Sequence, residues 1–245
     1  MIDTHAHLAA GADEVLARAR DAGVSRVVAV ATTIDEARRV LDVAGRHDGL
    51  YACLGIHPHE AGGEDADRAD ELRRLLDHPK AVAVGETGLD YFRDYAPRDA
   101  QRRLFERQLR IAREVEKPVV VHTRAADDDT AAALRGHTGT VILHCFSSPL
   151  LLDEALERAW YVSFAGNVSF PNAFDLRAAA RRVPAERLLA ETDSPYLAPQ
   201  PVRGQRNEPA NVVHVVAALA AARDEDAGEL AARIDANAAA AFGLP

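Results

Sequence analysis

His5 and His7 form a His-x-His pair near the start of the chain. On a β-strand that spacing puts both imidazoles on one face, because strand side chains alternate with a period of two. Further candidate ligands each close an apolar run: Glu86 in VGET, His122 in VVVHT, His144 in VILHCF and Asp193 in LAETDSP. An imidazole-rich set with two carboxylates exceeds what one catalytic ion uses when a position stays open for water, so two divalent ions are expected. The expected arrangement has His5, His7 and Asp193 on one ion, His122 and His144 on the other, and Glu86 bridging them. Neither Lys80 nor Lys117 lies at a strand's C-terminal end, so no lysine can take the bridging place. Mixed imidazole and carboxylate ligation suits magnesium, manganese and zinc to differing degrees and leaves the metal open.

Strand phase extends the reading. It puts Val82, Val84 and Glu86 on one face, Val120 with His122, Ile142 with His144, and Leu189 with Glu191 and Asp193. Asp3 would share the face of His5 and His7, one layer deeper. Asp3 and Glu191 are therefore read as supports for the ligands.

These residues need a scaffold that brings strand ends together. Short β-branched or apolar runs recur at 2–7, 25–31, 50–56, 81–86, 118–122, 140–145, 160–164 and 188–192. Amphipathic stretches lie between them, including 12–22, 34–46, 69–76, 100–115 and 173–182. Thr33 and Glu36 have the spacing of a capping box, and Pro149 suits the first position of another helix. Strand–helix alternation predicts parallel strands with crossover helices, and eight such units in this length predict a single (β/α)8 TIM barrel. No G-x-G-x-x-G turn favours a dinucleotide-binding fold. Residues 226–242 read as an extra C-terminal helix that packs on the barrel, and 1–245 as one domain. The long connections 57–63, 90–98 and 194–209 follow ligand-bearing strands, where this fold builds its active-site mouth.

At 245 residues, 48% hydrophobic and 27% charged, the chain can bury a substantial core, which excludes disorder. Cys53 and Cys145 sit inside apolar runs and read as buried thiols. MIDTHAHL lacks the basic start and apolar stretch of a signal peptide, and no run is apolar enough to span a bilayer. A cytoplasmic protein is expected. The net charge of −9 argues against gripping long nucleic acid through a broad basic surface. It leaves room for a phosphodiester substrate, because bound cations reverse the local charge.

The motifs D-T-H-A-H-L, G-I-H-P-H, V-G-E-T-G-L-D-Y, V-V-V-H-T-R, L-H-C-F-S, E-T-D-S-P-Y-L and R-N-E-P-A-N together resemble the TatD family of metal-dependent hydrolases, which belong to the amidohydrolase-like barrels. The resemblance runs from residue 3 to the terminal helix. It implies a magnesium- or other divalent-dependent deoxyribonuclease acting 3′-to-5′ from the ends of single strands. Its ligands carry over to His5, His7, Glu86, His122, His144 and Asp193. Two places depart from the pattern: Ser148 stands where members often have glycine, and 169–172 (SFPN) lacks a lysine that many relatives carry.

The expected mechanism is attack on phosphorus by a hydroxide held between the ions. Asp193 is the expected general base, and His57 orients substrate or protonates the leaving oxygen. Arg124, Arg203 and Arg206 lie on site-end loops and can reach phosphate oxygens. Tyr91 and Phe92 are candidates to stack on a base. Asn207 and Glu208 are expected to cap the last barrel helix or shape the mouth. The expected partner is DNA, with no membrane and no obligate protein partner. The alternative is a metal-dependent amide, ester or lactone hydrolase, such as a deacylase of modified amino acids. A barrel that binds metal and a macromolecule without turnover is the other rival, and an intact ligand set with Asp193 speaks against it.

Overall fold

The computed structural model describes residues 1–8, 11–93 and 95–245. Its strands are β1 (Ile2–Ala6), β2 (Arg26–Ala31), β3 (Leu50–Leu54), β4 (Ala81–Asp90), β5 (Val119–Arg124), β6 (Val141–Leu143), β7 (Tyr161–Phe164) and β8 (Leu188–Ala190). The helices are α1 (Ala12–Asp21), α2 (Ile34–Ala44), α3 (Ala69–Leu75), α4 (Arg98–Glu114), α5 (Asp127–Leu134), α6 (Leu152–Glu157), α7 (Phe174–Arg182), α8 (Val212–Arg223) and α9 (Ala227–Phe242). The eight strands pair in chain order, every neighbour parallel. Beyond β8 the chain returns to β1: His7 N donates to Ser194 O at 2.8 Å and Asp193 N to His5 O at 3.0 Å. Those bonds close the expected (β/α)8 barrel.

Alternation sorts the strand residues into two cores. Val27, Ala29, Leu50, Ala52, Val119 and Val121 face the helices, whereas Val28, Val30, Tyr51, Cys53, Val120 and Ile142 fill the barrel. The extra terminal helix belongs to the second group. Ala238, Ala241 and Phe242 pack with Ile2 and Tyr161 at the strands' N-terminal ends, so α9 plugs the floor of the barrel. Asp226 caps α9 by accepting from Gly228 N and Glu229 N. At the head of α2, Thr33 accepts from Glu36 N as the capping pattern predicts. The Glu36 carboxylate, however, reaches back to Thr32 N and Oγ1, one residue earlier than in the usual box. Pro149 opens a 3-10 turn that leads into α6. Cys53 and Cys145 are free thiols. Among the described residues, no helix is long and apolar enough to cross a membrane.

Candidate metal centre

Irregularities in two strands aim the candidate ligands. Ala81 and Ala83 pair with the consecutive Ala52 and Cys53, and Val84 and Thr87 pair with Val119 and Val121. β4 thus twice carries one residue more than its neighbour, and each extra residue reverses the phase. The expected alignment of Val82, Val84 and Glu86 is corrected accordingly: Val84 packs outside with the helices, Val82 packs inside, and Glu86 meets the imidazoles. Gly88 permits the close approach here. With φ at +135°, a Cβ on it would lie 2.0 Å from His122 O.

A similar shift in β1 lies between Asp3 and Ala6. It separates Asp3 from the histidines, so the expected shared face is corrected too. Asp3 turns to the segment after β8, where Thr192 donates from N at 2.9 Å and from Oγ1 at 2.6 Å. It anchors the stretch that carries Asp193. Burial pushes the Asp3 carboxyl up to about 8, against the pull of those donors.

Glu86 lies at the centre of the cluster, almost fully buried, and its two oxygens face different groups. Oε2 lies 3.5 Å from His5 Nε2 and 3.6 Å from His7 Nε2, and each of those nitrogens also faces Asp193 Oδ1, at 3.9 and 3.5 Å. Oε1 lies 2.9 Å from both His122 Nδ1 and His144 Nε2, and 3.3 Å from His57 Nε2. All six residues singled out as ligands from the sequence therefore converge at one rim.

Carboxylates behind the imidazoles fix which nitrogen faces inward. Glu191 Oε1 accepts from His144 Nδ1 at 3.1 Å and from Cys145 N at 2.8 Å, which turns His144 Nε2 toward Glu86, where it donates when protonated and would offer a lone pair to a cation. Asp90 Oδ2 lies 3.2 Å from His122 Nε2 and so turns His122 Nδ1 inward, toward Glu86. Asp90 also holds His59 Nε2 at 3.0 Å. Sequence reasoning missed Asp90, although it lies in phase with Glu86 and Gly88. Gln101 and Gln108 were missed as well. Gln101 Oε1 takes Asp90 N at 2.9 Å, and Gln108 bonds both Ile56 N and O at 2.8 Å, so α4 fixes the backbones that lead to Asp90 and His57. Asp90→Ala is expected to weaken manganese binding by about 10–100-fold, as loss of such supports does elsewhere. Titration calorimetry checks this, and undiminished affinity would remove Asp90 from the role.

The electrostatics are those of a cluster waiting to share positive charge. Burial opposes the Glu86 charge, yet His144, His57 and His122 outweigh it and hold the carboxyl well below its ordinary value. Burial likewise opposes protonation of His144, but Glu86 and Glu191 push it well above the usual histidine value. His5 is lowered by burial and by His144. Burial opposes the Asp193 charge, yet the neighbouring imidazoles of His7, His144 and His5 hold the carboxyl below its ordinary value.

A divalent cation fits these donors. His5 Nδ1 and Nε2 are buried without a hydrogen-bond partner, which in a dry site is costly unless something else satisfies them. The His5, His7 and Asp193 atoms lie too far apart for good hydrogen bonds with one another and at the spacing of atoms that share one ion.

The other sequence candidates fall in three places. His57 is buried at the cluster's edge, with its Nδ1 accepting from His59 N at 3.2 Å. Tyr91 is not at the mouth: its ring packs on the outer core and its hydroxyl donates to Asp129 at 2.6 Å. The exposed aromatic of that loop is Phe92, under the Arg124 guanidinium. Arg203 and Arg206 are exposed on the loop after β8, Arg203 over the Phe170 ring. Glu208 pairs with Arg18 of α1, and Asn207 Nδ2 binds Thr192 O and Tyr196 O, which clasps the loop around Asp193.

Donors poised at the rim of a parallel barrel, where the following loops admit substrate, define a class: the metal-dependent hydrolases. Known proteins agree. The sequence profile described as TatD related DNase matches residues 2–243. An uncharacterized metal-dependent hydrolase TatD of Mycobacterium tuberculosis is 41% identical over 260 residues, covering 100% of this chain and 98% of its own length. The 3′-5′ ssDNA/RNA exonuclease TatD of Citrobacter koseri is 35% identical, over 95% of this chain and 93% of its own. The crystal structure of YJJV, a TatD homolog from Escherichia coli K12, superposes with a TM-score of 0.94 at 32% identity, covering 100% of this chain and 98% of that one. The chain belongs to the TatD family.

Proposed function

We propose that this protein is an exonuclease that removes nucleotides from the 3′ ends of single-stranded DNA with two divalent ions. The observation that carries the reading is the division of labour at Glu86: one carboxylate oxygen faces His5 and His7, the other His122 and His144. Ions held there would neutralise phosphate charge and make water a better nucleophile at neutral pH.

The chain's own groups do the rest. Asp193, held low and at the solvent side of the cluster, accepts the proton of the attacking water. His57 works differently from the ligand histidines. The His59 N–H occupies its Nδ1, so its own proton sits on Nε2 and no lone pair there faces the cluster. Nε2–H faces Glu86 Oε1 at 3.3 Å, and with that carboxylate taken up by cations it would be free to donate to an oxygen of the substrate, the role this reading gives to His57. A single-stranded substrate is supported by the mouth. Among the described residues the exposed large apolar side chains are Phe92, Tyr95, Leu150, Phe174 and Tyr196, and every one follows a strand's C-terminal end. The Citrobacter koseri relative named as a 3′-5′ ssDNA/RNA exonuclease points the same way.

Metal-reconstituted protein is expected to shorten single-stranded DNA with a free 3′ end, to spare DNA whose 3′ end is blocked, and to lose the activity on chelation. Cleavage of amide, ester or lactone substrates in parallel, with the DNA untouched, would replace the nuclease by an acyl hydrolase.

A further inference from the structure

Two arginines at the mouth are held over aromatic rings. The Arg124 guanidinium lies 4.0 Å from the Phe92 ring centroid, and that of Arg203 lies 4.0 Å from the Phe170 ring centroid. Phe92 follows β4 and Arg124 ends β5, whereas Phe170 follows β7 and Arg203 follows β8. With eight strands in chain order, β4 stands across the barrel from β8, so the pairs lie on opposite sides of the metal centre. Among the described residues, neither arginine has a carboxylate partner. That sets them apart from Arg102 and Arg103 on α4, which are held by Asp129 and Asp99.

Both pairs are braced. Asp90 Oδ1 accepts from Phe92 N at 3.0 Å and Arg93 N at 2.8 Å, and Tyr91 N donates to Arg124 O at 2.9 Å. On the other side Arg177 donates to Phe170 O at 2.7 Å and Pro171 O at 2.9 Å. Gln200 N donates to Ser169 Oγ at 2.8 Å, which ties the Phe170 segment to the loop of Arg203. Asp90 thereby serves two ends: one oxygen orients His122 and the other sets the Phe92 loop.

A stacked guanidinium is positioned by its face and keeps its in-plane N–H donors for another anion. Proteins that hold single strands without sequence preference combine such cations with aromatic platforms for the bases. A chain with net charge −9 has no broad basic surface for the purpose, so its grip on a polyanion must be local. We propose that Phe92–Arg124 and Phe170–Arg203 form a two-sided clamp for the substrate strand, the arginines on phosphates and the rings against bases. One pair holds the strand that stays, the other the nucleotide that leaves. This rests on the nuclease reading above and adds how the strand is held.

The test measures binding of a labelled oligothymidylate of about ten nucleotides, built with phosphorothioate linkages that resist cleavage, to the manganese-loaded protein by fluorescence anisotropy over a range of salt. Arg124→Ala and Arg203→Ala are each expected to weaken binding about tenfold. Each should also flatten the slope of log affinity against log salt by about 0.7, the share of one phosphate contact on a single strand. Phe92→Ala and Phe170→Ala should weaken binding and leave the slope alone, and Arg103→Ala should change neither quantity. If the wild type binds and cleaves DNA while both arginine variants match it in affinity and slope, the clamp is wrong and the nuclease reading stands. Loss on one side only overturns the two-sided grip. A wild type that neither binds nor cuts single strands overturns both.

Discussion

Asp193→Asn is expected to lower kcat by about a thousandfold or more while the protein still takes up divalent cations. Asparagine keeps the shape and one carbonyl oxygen toward His7, so the cluster retains most of its form. What it loses is the ability to take a proton. The position also makes this a clean experiment. Asp193 N is tied to His5 O at 3.0 Å, and its φ of 52° lies in the left-handed region, which asparagine tolerates about as well as aspartate. The local backbone therefore has no reason to rearrange. Activity of the variant within tenfold of the wild type, at equal metal content, would take Asp193 out of the proton-transfer step.

Glu86→Ala should do broader damage. Among the described residues it removes the only carboxylate shared by both halves of the cluster, so metal affinity is expected to fall by more than about 100-fold, beyond the effect of losing a supporting residue. Activity falls with it. The metal-free variant should also be destabilised, by less than the about 3–5 kcal/mol of a fully broken buried pair, since His144 and His122 lose one carboxylate each and keep Glu191 and Asp90. The sign of the pH dependence follows from the same pair. Glu86 is held below its ordinary 4.5, so its contribution is present above that value and is lost as pH falls through the lowered one. His144 is raised above its ordinary 6.5, so its contribution is full below 6.5 and is lost as pH rises through the raised value. Between these limits the metal-free wild type has most to lose from the substitution. Equilibrium dialysis and urea melts of metal-free protein check both statements. Wild-type metal content in the variant would remove Glu86 from the bridge.

The convergence of the six candidate ligands was legible in the sequence because each ends an apolar run, and a barrel collects such ends at one rim. Phase alone was a weaker guide than it looked. It places His122 and His144 correctly, since β5 and the run into His144 keep their register. In β1 and β4 an extra residue shifts the register, and that depends on pairing with a strand distant in sequence, which local alternation cannot reveal. The same long-range pairing carries β4 on to Asp90 and β5 to Arg124, past the expected ends at 86 and 122. Asp90 was hidden for that reason: read as the start of a loop, it is a strand residue that faces His122. The glutamines of α4 and the arginine–aromatic pairs join elements far apart in the chain, and single-residue spacing gives no sign of them. Tyr91 shows the limit from the other side. An aromatic beside the site was expected at the mouth, but its hydroxyl has Asp129 to bind and its ring a core to pack on.

The central claim concerns a pair of cations astride Glu86. Crystals grown with manganese should show two anomalous peaks about 3.5–4 Å apart, one beside His5, His7 and Asp193, the other beside His122 and His144, both in contact with the Glu86 carboxylate. A single peak there, or none while manganese binds elsewhere on the protein, would contradict the account.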